Sequence, residues 1–252
     1  MPLAIVLHGI LGNGRNWRGI ARTLAERHPG WRFELPDLRN HAGSPPRPGP
    51  HTVAACADDL RVLCHAIGTP DLVIGHSFGG KVALAWAARH CDTGTRAVQV
   101  LDCPPGPSDP RSSEAIGVLS ALADAPVPSP GREQVRAFLA TRGLPQPVIA
   151  WLATSLVRTP EGWTWGYDVP GIRSMVADFC AVDLWSFVER PPPMRVRFLR
   201  AGRSDRWSDA DLQRLQALEG DRSVTLDVLA AAGHWLQVDD PEGTMQWIAE
   251  DL

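Results

Sequence analysis

A chain of 252 residues with 44% hydrophobic and 21% charged residues can bury a substantial core, which excludes a disordered or low-complexity protein. Its formal net charge of −3, with no basic cluster, argues against nucleic acid as a partner, and no run approaches the ~18 apolar residues of a membrane span. The five cysteines (Cys56, Cys64, Cys91, Cys103 and Cys180) are odd in number and form no C-x-x-C pair. They fit free thiols in a reducing compartment, and with no leader pattern ahead of the first strand a cytoplasmic location is expected.

In chain order, Leu3 to Leu7 is an apolar strand running into His8-Gly9-Ile10-Leu11-Gly12. After a turn at Asn13 to Arg15, Trp17, Ile20, Ala21 and Leu24 recur at helical spacing. Trp31 to Leu35 reads as the next strand, and Asp37 to Ser44 as a loop; the prolines at 45, 46, 48 and 50 forbid helix beyond it. Thr52 is placed to cap a helix bearing Val53, Ala57, Leu60, Cys64 and Ile67 on one face. The strand Leu72 to Ile74, a helix carrying Val82, Leu84 and Trp86, and the strand Arg96 to Leu101 continue the alternation, which signifies a parallel sheet covered on both faces.

The rhythm breaks after Asp102. Candidate helices follow near Ser112–Ala123, Arg132–Thr141, Pro147–Leu156 and Gly171–Phe187, interrupted by a turn at Trp163-Thr164-Trp165-Gly166-Tyr167. With no credible buried strand, residues 104–193 are expected to be a helical cap inserted between core segments 1–103 and 194–252. Alternation resumes with the strand Val196–Leu199, a helix at Asp209–Leu218, the strand Val224–Val228 and a closing helix from Pro241 to Asp251.

The chemistry concentrates at Gly75-His76-Ser77-Phe78-Gly79, a G-x-S-x-G between a strand and a helix. That context, the nucleophile elbow, lifts a serine hydroxyl above the sheet edge on a strained turn, where Gly75 and Gly79 leave room a Cβ would occupy. Ser77 is the candidate nucleophile. His234, in Gly233-His234-Trp235 past the last strand, is the candidate base, and Asp205, in Gly202-Arg203-Ser204-Asp205 past the strand before it, the candidate orienting acid. The order Ser, Asp, His suits three strand ends sharing one sheet edge. Asp102, at the end of the strand after the elbow, is the alternative acid; the proline turn that follows it gives its carboxylate a competing structural use.

The backbone N–H groups of Ile10 and Phe78 are assigned to an oxyanion hole, because the first strand ends where its second donor belongs. His8 and His76 read as structural, and Lys81, the only lysine, has no assigned role. His41 and the aromatic group Trp151, Trp163, Trp165, Tyr167 and Trp185 are candidates to touch substrate. No His, Cys and carboxylate grouping has zinc spacing and no G-x-G-x-x-G follows a strand, so neither metal nor cofactor is expected.

On these residues the chain resembles the α/β-hydrolase superfamily from residue 3 onward. Asp37-Leu38-Arg39-Asn40-His41-Ala42-Gly43-Ser44 together with Gly75 to Lys81 looks like the YbfF-type esterases and their mitochondrial abhydrolase-domain relatives. The resemblance implies a serine esterase acting on small-molecule acyl esters or thioesters beneath a helical cap, as a monomer or homodimer. It also implies a mostly parallel open sheet, of about six strands here, since the usual leading antiparallel hairpin has no residues to form it. Ala42 stands where those relatives usually carry glycine. Two other readings remain: C–C bond hydrolysis or a lyase step with the same three residues, and a non-catalytic binding protein on this fold. A dehalogenase or epoxide hydrolase would require aspartate at the elbow.

Overall fold

The computed structural model describes residues 1–45, 47–90, 94–110, 114–190, 192–218 and 223–252. Six strands form one parallel sheet: β1 (Leu3–Leu7), β2 (Arg32–Glu34), β3 (Leu72–His76), β4 (Ala97–Leu101), β7 (Arg195–Ala201) and β8 (Val224–Leu229), in the order β2-β1-β3-β4-β7-β8. The central strands β1, β3 and β4 are buried at every residue, as a sheet covered on both faces requires. Successive side chains serve opposite faces. Val73 and Val98 pack with α2 (Val53–Ile67) and α3 (Phe78–Arg89), while Leu72, Ile74 and Ala97 pack with α1 (Arg18–Arg27) and α11 (Pro241–Ala249). The Ala55 N–H donates to Thr52 Oγ1 at 3.1 Å, so the expected cap of α2 forms.

Between β4 and β7 lie α4 (Glu114–Ala123), α5 (Arg132–Thr141), α6 (Gln146–Ala153), α7 (Val169–Ala181) and α8 (Trp185–Val188). The expected first helix here began at Ser112, which lies outside the described residues. The expected helix Gly171–Phe187 is two helices, and this region is not strand-free. An antiparallel pair, β5 (Leu156–Thr159) and β6 (Gly162–Trp165), forms where only a Trp-rich turn was expected. Gly162 closes it at φ 138, with its ideal Cβ position 2.6 Å from the Ser129 carbonyl oxygen, so no other residue fits that turn.

Lys81 ties this segment to the elbow helix. Its ammonium, 1% exposed as a residue, donates to the carbonyls of Gly106 (2.7 Å), Phe179 (2.6 Å) and Val182 (3.2 Å), and lies 4.3 Å from the Phe179 ring centroid. All three protons are used, which is how a buried ammonium is tolerated. Of the cysteines, Cys56, Cys64, Cys103 and Cys180 are free thiols and Cys91 lies outside the described residues. No helix among the described residues is long and apolar enough to cross a membrane. The remaining helices, α9 (Asp209–Gln216) and α10 (Leu236–Asp239), follow the loops that matter next.

Candidate active site

Ser77 sits between β3 and α3 at φ 54, ψ −118, a backbone conformation rare for any residue with a side chain. The turn is tight enough that an ideal Cβ on Gly75 would lie 2.1 Å from the Gly79 carbonyl oxygen, and one on Gly79 2.5 Å from that of Leu7. Both glycines are therefore steric requirements of the serine's position. The Ser77 hydroxyl donates to His234 Nε2 at 3.0 Å, and His234 Nδ1–H donates to Asp102 Oδ2 at 2.7 Å. The carboxylate can only accept, so it fixes the proton on Nδ1 and leaves the Nε2 lone pair for the serine.

The acid beside His234 is Asp102 and not Asp205. β4 pairs with β3 in a register that sets His76 opposite Leu101, so Ser77 and Asp102 leave adjacent strands side by side, and the Ser77 N–H donates to the Leu101 carbonyl at 2.9 Å. Asp102 Oδ1 meanwhile accepts from the Ala201 N–H (3.1 Å) and Trp207 Nε1–H (2.9 Å). Burial pushes the Asp102 carboxyl up, but hydrogen bonds from His234 and Ser204 outweigh it and hold the group below the ordinary carboxylate value. Asp205 instead points outward, its side chain 93% exposed and 3.6 Å from the Arg206 guanidinium. The turn after β7 brings Trp207, rather than Asp205, back to the site.

His76 Nε2–H donates to the His234 carbonyl at 2.7 Å, and the two rings lie 4.8 Å apart. Burial, with His234 nearby, pushes His76 down to about 3, so it stays a neutral brace. Cys103 is beside the site, but burial raises its thiol to about 12, which removes it as a competing nucleophile. The Ile10 and Phe78 N–H groups make no hydrogen bond among the described residues, and both residues line the cavity above Ser77. Phe78 opens α3, where the first N–H groups have no intrahelical acceptor. Gly9 brings the Ile10 loop against the elbow, with its ideal Cβ position 3.4 Å from Ser77 Cβ.

The cavity walls are chiefly apolar: Val148, Trp151, Val176 and Phe179 from the 104–193 segment, and Trp17 and Trp235 from the sheet side. Trp151 and Trp235 meet edge to face with ring centroids 4.9 Å apart. Trp235 was not anticipated, although its place next to His234 was a usable signal. Of the other aromatic candidates none lines the cavity. Trp165 donates its indole N–H to the Leu122 carbonyl, Trp163 stacks under Arg132, and Trp185 packs against Gly106 beneath Arg214. His41 and Tyr167 are also off the cavity, the histidine being fully buried behind the Ile10 loop. Ala42, in the same loop as His41, takes φ 40, which explains why glycine suits that position.

The alpha/beta hydrolase family model matches residues 4–247, and the chain belongs to that family. It is 26% identical over 263 residues to the mouse (Mus musculus) sn-1-specific diacylglycerol lipase ABHD11, covering 100% of this chain and 81% of that protein. It is 25% identical over 248 residues to the Escherichia coli K12 esterase YbfF, covering 98% of this chain and 92% of that one. Among solved structures, a marine microorganism esterase superposes with a TM-score of 0.86 at 26% identity over 100% of this chain and 95% of that chain. An E-2-(acetamidomethylene)succinate hydrolase superposes at 0.74 with 23% identity, covering 99% and 90%, a likeness of fold.

Proposed function

We propose that this protein is a serine hydrolase that cleaves carboxylic esters or thioesters of small to medium acyl groups through an acyl-enzyme. The observation that carries the reading is the unbroken hydrogen-bonded chain Ser77–His234–Asp102 at the floor of an apolar cavity. Ser77 Oγ attacks the acyl carbon as its proton passes to His234 Nε2, and Asp102 stabilises the resulting imidazolium. The tetrahedral oxyanion accepts from the Ile10 and Phe78 N–H groups. Such a donor is worth about 3–4 kcal/mol in the transition state. Collapse expels the alcohol or thiol, which takes the proton from His234; water then attacks the acyl-serine with the same base and returns Ser77. Residues 104–193 act as the cap, and Trp151, Val176 and Phe179 receive the acyl chain.

The esterase and lipase names of the full-length relatives favour this bond class. A panel of p-nitrophenyl esters from acetate to palmitate, with an acyl-thioester alongside, tests it. Turnover peaking at short to medium chains is expected, and Trp151→Ala should move the peak toward longer chains. No turnover of any ester or thioester by a folded chain would remove the reading.

A further inference from the structure

The loop bearing the Ile10 amide is held in a conformation its own sequence disfavours. Residues 9–12 make a turn closed by the Gly12 N–H on the Gly9 carbonyl at 3.0 Å, and within it Leu11 sits at φ 59. A leucine avoids that region because its Cβ crowds the neighbouring carbonyl. Two side chains from outside the loop grip the peptide units on either side of Leu11. The Leu11 N–H donates to His41 Nε2 at 3.0 Å, and the Leu11 carbonyl accepts from the Tyr167 hydroxyl at 2.5 Å.

Each grip is itself fixed. His41 Nδ1–H donates to the Arg39 carbonyl at 2.8 Å, which leaves Nε2 as the acceptor, and burial and the neighbouring His8 push the ring down to about 3, so it keeps that lone pair. The Ser155 hydroxyl donates to Tyr167 Oη at 2.5 Å, which directs the tyrosine's single proton at Leu11. Burial raises the phenol to about 12, so the proton is retained. The rings of His41 and Tyr167 meet edge to face at 6.0 Å, and the next residue, Asp168, donates its N–H to the Asn40 carbonyl at 3.0 Å.

We propose that Tyr167 and His41 are positioning residues that hold the Ile10 amide on aim as an oxyanion donor, and that Tyr167 makes this aim depend on the seating of the 104–193 segment. The proposal rests on the hydrolase reading above. Neither residue lines the cavity, so both act through Leu11 and not on substrate. Without the grips the turn relaxes toward negative φ at Leu11 and carries the Ile10 N–H away from the reacting oxygen. A donor misplaced by about 1 Å costs up to roughly a hundredfold in rate. The ground-state ester, which barely uses that donor, binds as before.

The test is steady-state hydrolysis of p-nitrophenyl butyrate by the full chain, with the rate of labelling by a fluorophosphonate measured in parallel. Tyr167→Phe keeps the ring and removes the hydroxyl, which takes away the donor to Leu11 and the acceptor of the Ser155 hydroxyl. It should lower kcat about 10- to 100-fold with KM within about twofold, and slow labelling by a similar factor. His41→Phe should behave likewise, and His41→Gln, whose amide oxygen can take the Leu11 N–H, should recover much of the loss. A loosened structure alone would lower thermal stability without this kcat-only pattern or the glutamine rescue. Tyr167→Phe at wild-type kcat, or a loss confined to KM, overturns the proposal while leaving the hydrolase reading intact. Should Tyr167→Phe not fold, the histidine pair decides: equal losses in His41→Phe and His41→Gln overturn the proposal. A wild-type chain that neither turns over the ester nor takes up the probe sinks both.

Discussion

Asp102→Asn is expected to lower kcat by two to four orders of magnitude near neutral pH, with the chain still folded. Oδ1 of Asp102 already serves two N–H donors, from Ala201 and Trp207. An asparagine at that position must keep its oxygen there, which turns its NH2 toward His234. That group can only donate, so His234 Nδ1 becomes an acceptor and the ring proton moves to Nε2, where Ser77 needs a lone pair. The base is switched off by tautomer rather than by displacement. Asp205→Asn should stay within about twofold of wild type, because an exposed surface carboxylate changes little when neutralised. Steady-state kinetics on both variants, with circular dichroism to confirm folding, decides between them. The opposite ranking would return the acid role to Asp205.

Ser77→Ala should cost about three to six orders of magnitude in kcat, leaving the residual rate supplied by the oxyanion donors and substrate binding. Alanine keeps the Cβ and meets the same φ of 54, so the elbow is no more strained than before and folding should be unaffected. Because the three groups act as a unit, Ser77→Ala combined with Asp102→Asn should be little slower than Ser77→Ala alone. Independent, multiplying losses would mean that Ser77 and Asp102 do not act as a unit and that the residual activity still draws on Asp102.

The parallel sheet was legible because continuous apolar strands alternate with helices, a pattern with few alternatives. The elbow was legible because Gly75 and Gly79 answer a steric demand visible in the motif itself. The acid was not, because Asp102 and Asp205 both follow apolar strands, and the choice depends on which strand lies beside β3. Strand order is a tertiary fact: only once β4 pairs with β3 does Asp102 stand next to Ser77. The antiparallel pair β5–β6 did leave a signal. Two short runs rich in valine, threonine and tryptophan flank Pro160-Glu161-Gly162, and Gly162 takes the positive φ such a turn needs. The tryptophans misled for a different reason. Composition says that large rings are buried between residues 151 and 185, but whether a ring faces a cavity or a neighbouring helix is set by packing, and only Trp151 of the four faces the cavity. Lys81 had no reading from sequence because its partners are backbone carbonyls, which leave no trace in residue identity.

As an activated nucleophile, Ser77 should react with an electrophilic probe, and covalent labelling reads this without knowledge of the substrate. The folded chain should be treated with a fluorophosphonate near neutral pH and its intact mass recorded, followed by peptide mapping. One adduct per chain is expected, located on Ser77, with parallel loss of ester hydrolysis and no adduct on Ser77→Ala. A folded wild-type chain that takes up no adduct, or takes it up equally in Ser77→Ala, would contradict it.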